Sequence, residues 1–169
     1  MSFADGASPS CRCSQRNERI SPFRIVVVPA NAFELPSRSF LTLDAARTVA
    51  AAAEAKAKAE GWPCVISIVD DAGLPILLTR MDDAAVPAGV ELAPGKARTA
   101  ALFRRESGTL EDAVNRNRPA AITARGFVLM RGGVPIVVGG RIVGAIGVSA
   151  DTPDHDEQIA KAGTAALGQ

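Results

Sequence analysis

The sequence predicts an α+β domain, a five-stranded antiparallel sheet with flanking helices over one face, and three observations carry that prediction. The first is the stretch Gly126 to Ser149, where three short apolar runs are separated by Gly132-Gly133 and Gly139-Gly140. Glycine pairs between apolar runs supply the positive-φ positions of tight hairpin turns, so the stretch reads as a three-stranded meander. The second is a pair of short runs, Val65 to Val69 and Leu74 to Thr79, joined by Asp70-Asp71-Ala72-Gly73. Aspartate and glycine at those places are turn chemistry. The third is a set of alanine-dense segments with helix caps at their starts. Strand pairs joined by tight turns, with helices between them, are the pattern of an α+β layer structure.

Taken in order, residues 1–40 mix Ser, Pro, Arg and Asn, and read as a disordered or poorly packed N-terminal extension, or as the product of an upstream start codon. The apolar island Ile25-Val26-Val27-Val28 could instead add an edge strand. A secretory signal is a weaker alternative, because the apolar core is too short for one. The domain proper is expected over 41–169. Thr42 or Asp44 caps a first helix that runs to Glu60, and Gly61 ends it in a left-handed conformation. Leu43, Ala46, Ala50, Ala53 and Ala57 share one face of it. A second helix spans Val90 to Phe103, with Pro94-Gly95 either kinking it or delaying its start to Pro94. Glu111 to Asn115 adds a short helix and the Asn117–Pro119 region a loop. After the meander, Thr152 caps a last helix with Pro153 in its first position, and Ile159, Ala162 or Gly163, and Ala166 face inward.

Along the last strand, Ile142, Gly144, Ile146 and Val148 alternate with Val143, Ala145 and Gly147. One face carries bulk and the other tapers. Repeated glycine in a strand marks a close approach to the backbone, by a helix, a second subunit or a flat ligand.

Composition narrows the function classes. The net charge is +1 and no basic stripe with interleaved aromatics is present, so nothing indicates nucleic acid. No apolar run approaches the ~18 residues of a membrane span. There are three cysteines, one histidine and no tyrosine. Cys11-x-Cys13 lacks the second pair a zinc site needs, and Cys64 reads as a small buried hydrophobe. This cysteine usage suits a cytoplasmic location. Walker loops, nucleophile elbows and dinucleotide fingerprints are absent from the sequence.

Several residues are candidates for binding. Lys96, Thr99 and Phe103 fall on one helical stripe, while Ala97, Ala100 and Ala101 lie mostly on another. If the alanines pack on the sheet, Lys96 and Thr99 face a cleft or a neighbouring subunit, where the lysine could neutralise a carboxylate. The plainer alternative is a solvated lysine and a threonine bonded back to its own helix. Arg125 and Arg131 bracket the first meander run and could hold ligand carboxylates bidentately in an oligomer, or simply be solvated strand ends. His155, between Asp154 and Asp156, is either a metal or haem ligand or an exposed first-turn residue. Asp154, Asp156 and Glu157 form a weaker candidate iron site. Asp70 and Asp71 read as turn chemistry rather than an acid–base pair.

The order of motifs resembles the GlcG/HbpS-like family of haem-binding and haem-degrading proteins, which includes the domain attached to some corrinoid adenosyltransferases. The residues that carry the likeness are the Leu41-Thr42-Leu43 helix start, the Val69-Asp70-Asp71-Ala72-Gly73 turn, and Lys96-Ala97-Arg98-Thr99-Ala100. Gly132-Gly133-Val134-Pro135-Ile136, Val143 to Ser149, and Asp156-Glu157 complete it. The resemblance spans roughly residues 41–167. It implies a profilin-like fold, a homo-oligomer (often an octamer) and haem or another tetrapyrrole as ligand, with Thr99 on the iron side; a propionate is then one of the carboxylates that Lys96 could neutralise. The first functional expectation is therefore an oligomeric tetrapyrrole-binding protein with haem-degrading or iron-handling activity. The alternative is an enzyme or accessory subunit for a small organic acid, with Lys96 and Arg98 or Arg125 holding the carboxylate and an aspartate or His155 moving a proton. A third is an assembly module whose alanine and glycine faces serve packing alone.

Overall fold

The computed structural model describes residues 35–168, most of them in a compact unit that begins at Ser37. The expected N-terminal extension, the island Ile25 to Val28 and the pair Cys11 and Cys13 lie outside the described residues. Four strands, β1 (Val65–Asp70), β2 (Pro75–Arg80), β3 (Gly133–Val138) and β4 (Arg141–Ser149), form one antiparallel sheet in the order β2-β1-β4-β3. Four helices accompany it: α1 (Leu43–Glu60), α2 (Gly89–Phe103), α3 (Ser107–Arg116) and α4 (Pro153–Ala165), with a 3-10 turn at Pro119–Thr123.

The sheet has four strands and not five. The run Gly126 to Met130 is not a strand, because side chains have taken its backbone groups. The Val128 N–H donates to Thr99 Oγ1 (3.0 Å), the Met130 carbonyl accepts from Ser107 Oγ (2.6 Å), and the Arg131 N–H donates to Glu111 (2.6 Å). Backbone groups held by helix side chains at 128, 130 and 131 are withdrawn from the regular ladder that a fifth strand would need.

The helices do not lie over one face of the sheet alone but cover both. Ala46, Val49, Ala50 and Ala53 of α1 and Ile159 and Ala160 of α4 pack with Ile66, Ile68, Ile146 and Val148 on one face. On the other, Ala97, Ala100 and Ala101 of α2 pack with Val69 and Ala145. Strand periodicity explains the division: Ile146 and Val148 point one way, Ala145 and Gly147 the other. A bulge at Val143, which has no partner on β3, shifts the phase and returns that valine to the α1 side.

The tapered face works as the glycines suggested. A Cβ at Gly147 would lie 2.1 Å from the Ala93 carbonyl oxygen, and one at Gly133 would lie 2.3 Å from that of Lys96. The α2 backbone rests directly on the sheet. Its first turn is anchored too, since a Cβ at Gly89 would meet Val65 at 2.9 Å. The helix consequently starts at Gly89 and carries Pro94 inside it rather than starting there.

The caps follow local chemistry. Thr42 accepts the Ala45 N–H at 3.2 Å and Thr152 the His155 N–H at 3.3 Å, and Gly61 is left-handed at φ 71°. Asp70 Oδ1 accepts the Ala72 and Leu74 N–H groups, which makes it a turn residue. Leu43, expected on the inner face of α1, is exposed, and Val49 takes the place in the core. Ala166 is exposed at the end of α4, where Ala160 and Thr164 are buried beside Ile159 and Gly163. No helix among the described residues is long and apolar enough to cross a membrane.

Candidate functional site

Lys96 and Thr99 do not face an open crevice. Both are buried, at 2% and 0% exposure. The small residues under α2 let it approach so closely that its polar side chains were enclosed instead of displaced outward. Lys96 Nζ donates to the Val148 carbonyl (3.1 Å) and to Asp156 Oδ2 (2.5 Å), while Asp156 Oδ1 accepts the Ala150 N–H (2.5 Å). Gly132, at φ 113°, makes room for the pair: a Cβ there would sit 2.6 Å from that of Asp156. Burial pushes the Asp156 carboxyl above its ordinary range, and Lys96 and the Ala150 N–H pull against that. Thr99 Oγ1 donates back to the Gly95 carbonyl (2.8 Å) and accepts from Val128. It therefore sets the position of the segment 126–130.

Arg131 is not a free strand end. Its guanidinium bonds Glu157 (2.5 Å) and Asp112 (2.9 Å), joining α3 to α4. Glu157 also pairs with Lys161, which reaches Glu106 at 3.2 Å. Burial alone would raise the Glu157 carboxyl, but the hydrogen bonds from Lys161 and Arg131 outweigh it and hold the group below its usual range. Arg125 is exposed. His155 stacks on Trp62 with ring centroids 3.6 Å apart, and its Nδ1 lies 2.7 Å from Asp151. Among the described residues no three His, Cys, Asp or Glu side chains gather as a metal site. Cys64 is buried, and its thiol is pushed up to about 12, by burial first and by Asp156 and Glu54 after it.

Two of the concavities adjoin the run that was expected to form a fifth strand. Two clefts flank Leu129, which lines both. The larger, about 450 Å³, lies between the end of α2, α3 and the 3-10 turn, and is lined by Phe103, Leu110 and Ala121 with Arg105 and Arg118 at its edge. The smaller, about 270 Å³, is lined by Val114, Ile122, Phe127 and Met130 with Glu111 and Asn115. Phe103 and Phe127 meet edge to face at 4.9 Å, and the Arg98 guanidinium lies 5.7 Å from the Phe127 ring. Such apolar concavities with a few cations at the margin suit a flat, largely apolar molecule bearing carboxylates. Of the five binding candidates from sequence, only Phe103 lines either cleft. Leu129, Met130, Arg105 and Arg118 were missed. The signal for Leu129 and Met130 is the apolar run Gly126 to Met130, whose pattern is also that of a strand; Arg105 and Arg118 carry no local signal.

Residues 41–165 match the family described as haem degrading protein HbpS-like. GlcG of Escherichia coli is 41% identical over 115 residues, covering 68% of this chain and 85% of GlcG. An HbpS double mutant from Streptomyces reticuli superposes with a TM-score of 0.75 at 33% identity, over 84% of this chain and 97% of that one. A PduOC:heme complex superposes with a TM-score of 0.70 at 28% identity, over 77% and 96% of the two chains.

Proposed function

Because the chain belongs to the HbpS-like family, we propose that it is a homo-oligomeric haem- or tetrapyrrole-binding protein whose ligand occupies the clefts on either side of Leu129. The observation that carries this reading is the paired apolar concavity itself, with Phe103 and Phe127 as ring contacts and two arginines at the margin. Arg105 and Arg118 form no ion pair with a described residue, so both are available for carboxylates. The PduOC:heme relative supports haem as the tetrapyrrole.

The donor set fits, with one adjustment. Haem iron is held by His, Cys, Met or Tyr in the great majority of proteins. Met130 is the one such donor among the cleft-lining residues, and its side chain is partly exposed at the smaller cleft. Bound haem would supply redox and oxygen chemistry at its iron. The chain's own residues bind and orient: Phe103, Phe127 and Leu129 exclude water, Arg105 and Arg118 take the carboxylates, and Thr99 holds the Val128 backbone so that Phe127 and Leu129 stay in place. Lys96, Arg125 and Arg131 serve more remotely, Lys96 and Arg131 by fixing α2 and α3 against α4. His155 remains the alternative iron ligand. Ile122 and Met130 are exposed at the mouth of the smaller cleft, where a ligand would cover them; the octamer is the assembly that the family resemblance implies. The organic-acid alternative loses its lysine, since Lys96 is committed to Asp156.

The test is titration of the full chain with haemin. A saturable Soret shift is expected, weakened in Phe103→Ala and in Arg105→Gln/Arg118→Gln. A shift lost only in His155→Ala would move the iron to that residue, and no shift at micromolar haemin would overturn the reading.

A further inference from the structure

At the opposite end of the sheet from Lys96 and Asp156, four separate segments converge on a cleft of about 430 Å³. Register places it there: Val148 pairs near the start of β1, whereas Asp71 follows its end. Its lining is Arg38 and Ser39 before α1, Asp71 in the β1–β2 turn, Arg104 at the end of α2, and Gly140 and Arg141 at the β3–β4 hairpin. It shares no residue with the clefts beside Leu129.

Three arginines and one aspartate thus line a common space. The Asp71 carboxylate is taken by Arg38, with which it makes an ion pair. Arg104 and Arg141 have no carboxylate partner among the described residues, so the cleft holds two positive charges beyond those it neutralises. The backbone commits to this placement. Arg104 closes α2 in the left-handed region at φ 55°, one of two described non-glycine residues with positive φ. A glycine or asparagine would be the ordinary choice there. Gly139 and Gly140, at φ 56° and 74°, form the tight hairpin turn that puts Arg141 opposite Val138 at the sheet's end.

We propose that the Arg38, Arg104 and Arg141 cleft is a binding site for a small organic dianion, a short dicarboxylate or a phosphorylated acid. Arginine forks match carboxylate and phosphate oxygens in pairs, and two unpaired guanidinium groups set the charge of the ligand at two. Arg38 and Asp71 form the wall, and Arg104 and Arg141 bind.

Calorimetric titration of the full chain at low salt tests this, with succinate, inorganic phosphate and acetate as probes. Succinate or phosphate should bind saturably, and acetate about tenfold more weakly or worse. Arg141→Gln and Arg104→Asn should each weaken the dianion about tenfold, while Arg80→Gln, which sits opposite Val65 at the other end of β1, should leave it unchanged. Asparagine tolerates the left-handed backbone, so Arg104→Asn keeps the fold, and the hairpin residue Arg141 decides if it does not. Binding of succinate assigns a dicarboxylate, and binding of phosphate alone assigns a phosphorylated acid. No binding of either, equal binding of acetate, or equal loss in Arg80→Gln would overturn the proposal. The result is independent of haemin binding.

Discussion

Lys96 on α2 and Asp156 on α4 meet at 2.5 Å around one end of the sheet, although their helices pack on opposite faces of it. The pair therefore ties the three layers together. Each ion is out of water, so breaking the pair leaves an uncompensated buried charge, whereas replacing both ions with apolar groups of similar volume does not. Lys96→Met and Asp156→Leu should each cost about 3–5 kcal/mol of unfolding free energy. The double variant should cost clearly less than the two combined. Urea denaturation of the four proteins measures this, and additive losses would show that the two groups are not coupled.

Glu157 gives the acid limb of the stability profile a defined sign. Its carboxyl is held below its ordinary value of 4.5 in the folded chain by Lys161 and Arg131. A depressed folded value means stability that is fully present above the unfolded value and lost as pH falls through the folded one. The stability gap between the native chain and Glu157→Gln should thus be constant from pH 7 to about 5 and close below 4.5. Urea midpoints across that range check it. A gap that widens on acidification would contradict the assignment.

Close docking of α2 predicts intolerance to a single methyl group. At Gly147 a Cβ would be 2.1 Å from the Ala93 oxygen and 2.5 Å from the Ala97 nitrogen. Both obstacles are backbone, so no rotamer change relieves them, and Gly147→Ala should cost about 1–3 kcal/mol or more. Thermal unfolding measures the loss. Near-UV circular dichroism should show whether α2 has lifted from the sheet.

How much of this could be read from the chain depends on which groups act locally. Thr42, Gly61, Asp70, Gly73 and Thr152 do their work within four residues, so their roles were legible from sequence. The taper at Gly147 was legible too, since strand period alone fixes its face. The fate of Gly126 to Met130 was not. Its pattern is that of a strand, but Thr99, Ser107 and Glu111 compete for its backbone from two helices. Periodicity carries no trace of such distant side chains. The same limit hid the partner of Lys96, 60 residues away, and with it the direction that lysine takes. Asp156 and Glu157 were noticed as a motif, but nothing local tells that one answers Lys96 and the other Arg131.

Cys64 offers a test of the packed core rather than of its edges. The residue is buried between α1 and β1, its sulfur lies 3.7 Å from that of Met81, and its thiol is pushed up to about 12. The thiolate is the reactive form, so at pH 8 the native chain should hold Cys64 almost wholly as unreactive thiol. Because Cys11 and Cys13 would also report, the experiment needs the Cys11→Ser/Cys13→Ser background. In that variant a disulfide reagent should modify no thiol in buffer and one per chain in denaturant. The rate under native conditions should then track opening of the core, since access and ionisation are both gained only when α1 leaves the sheet. Rapid modification at native pH would mean that the α1 face is looser than its close-packed alanines indicate.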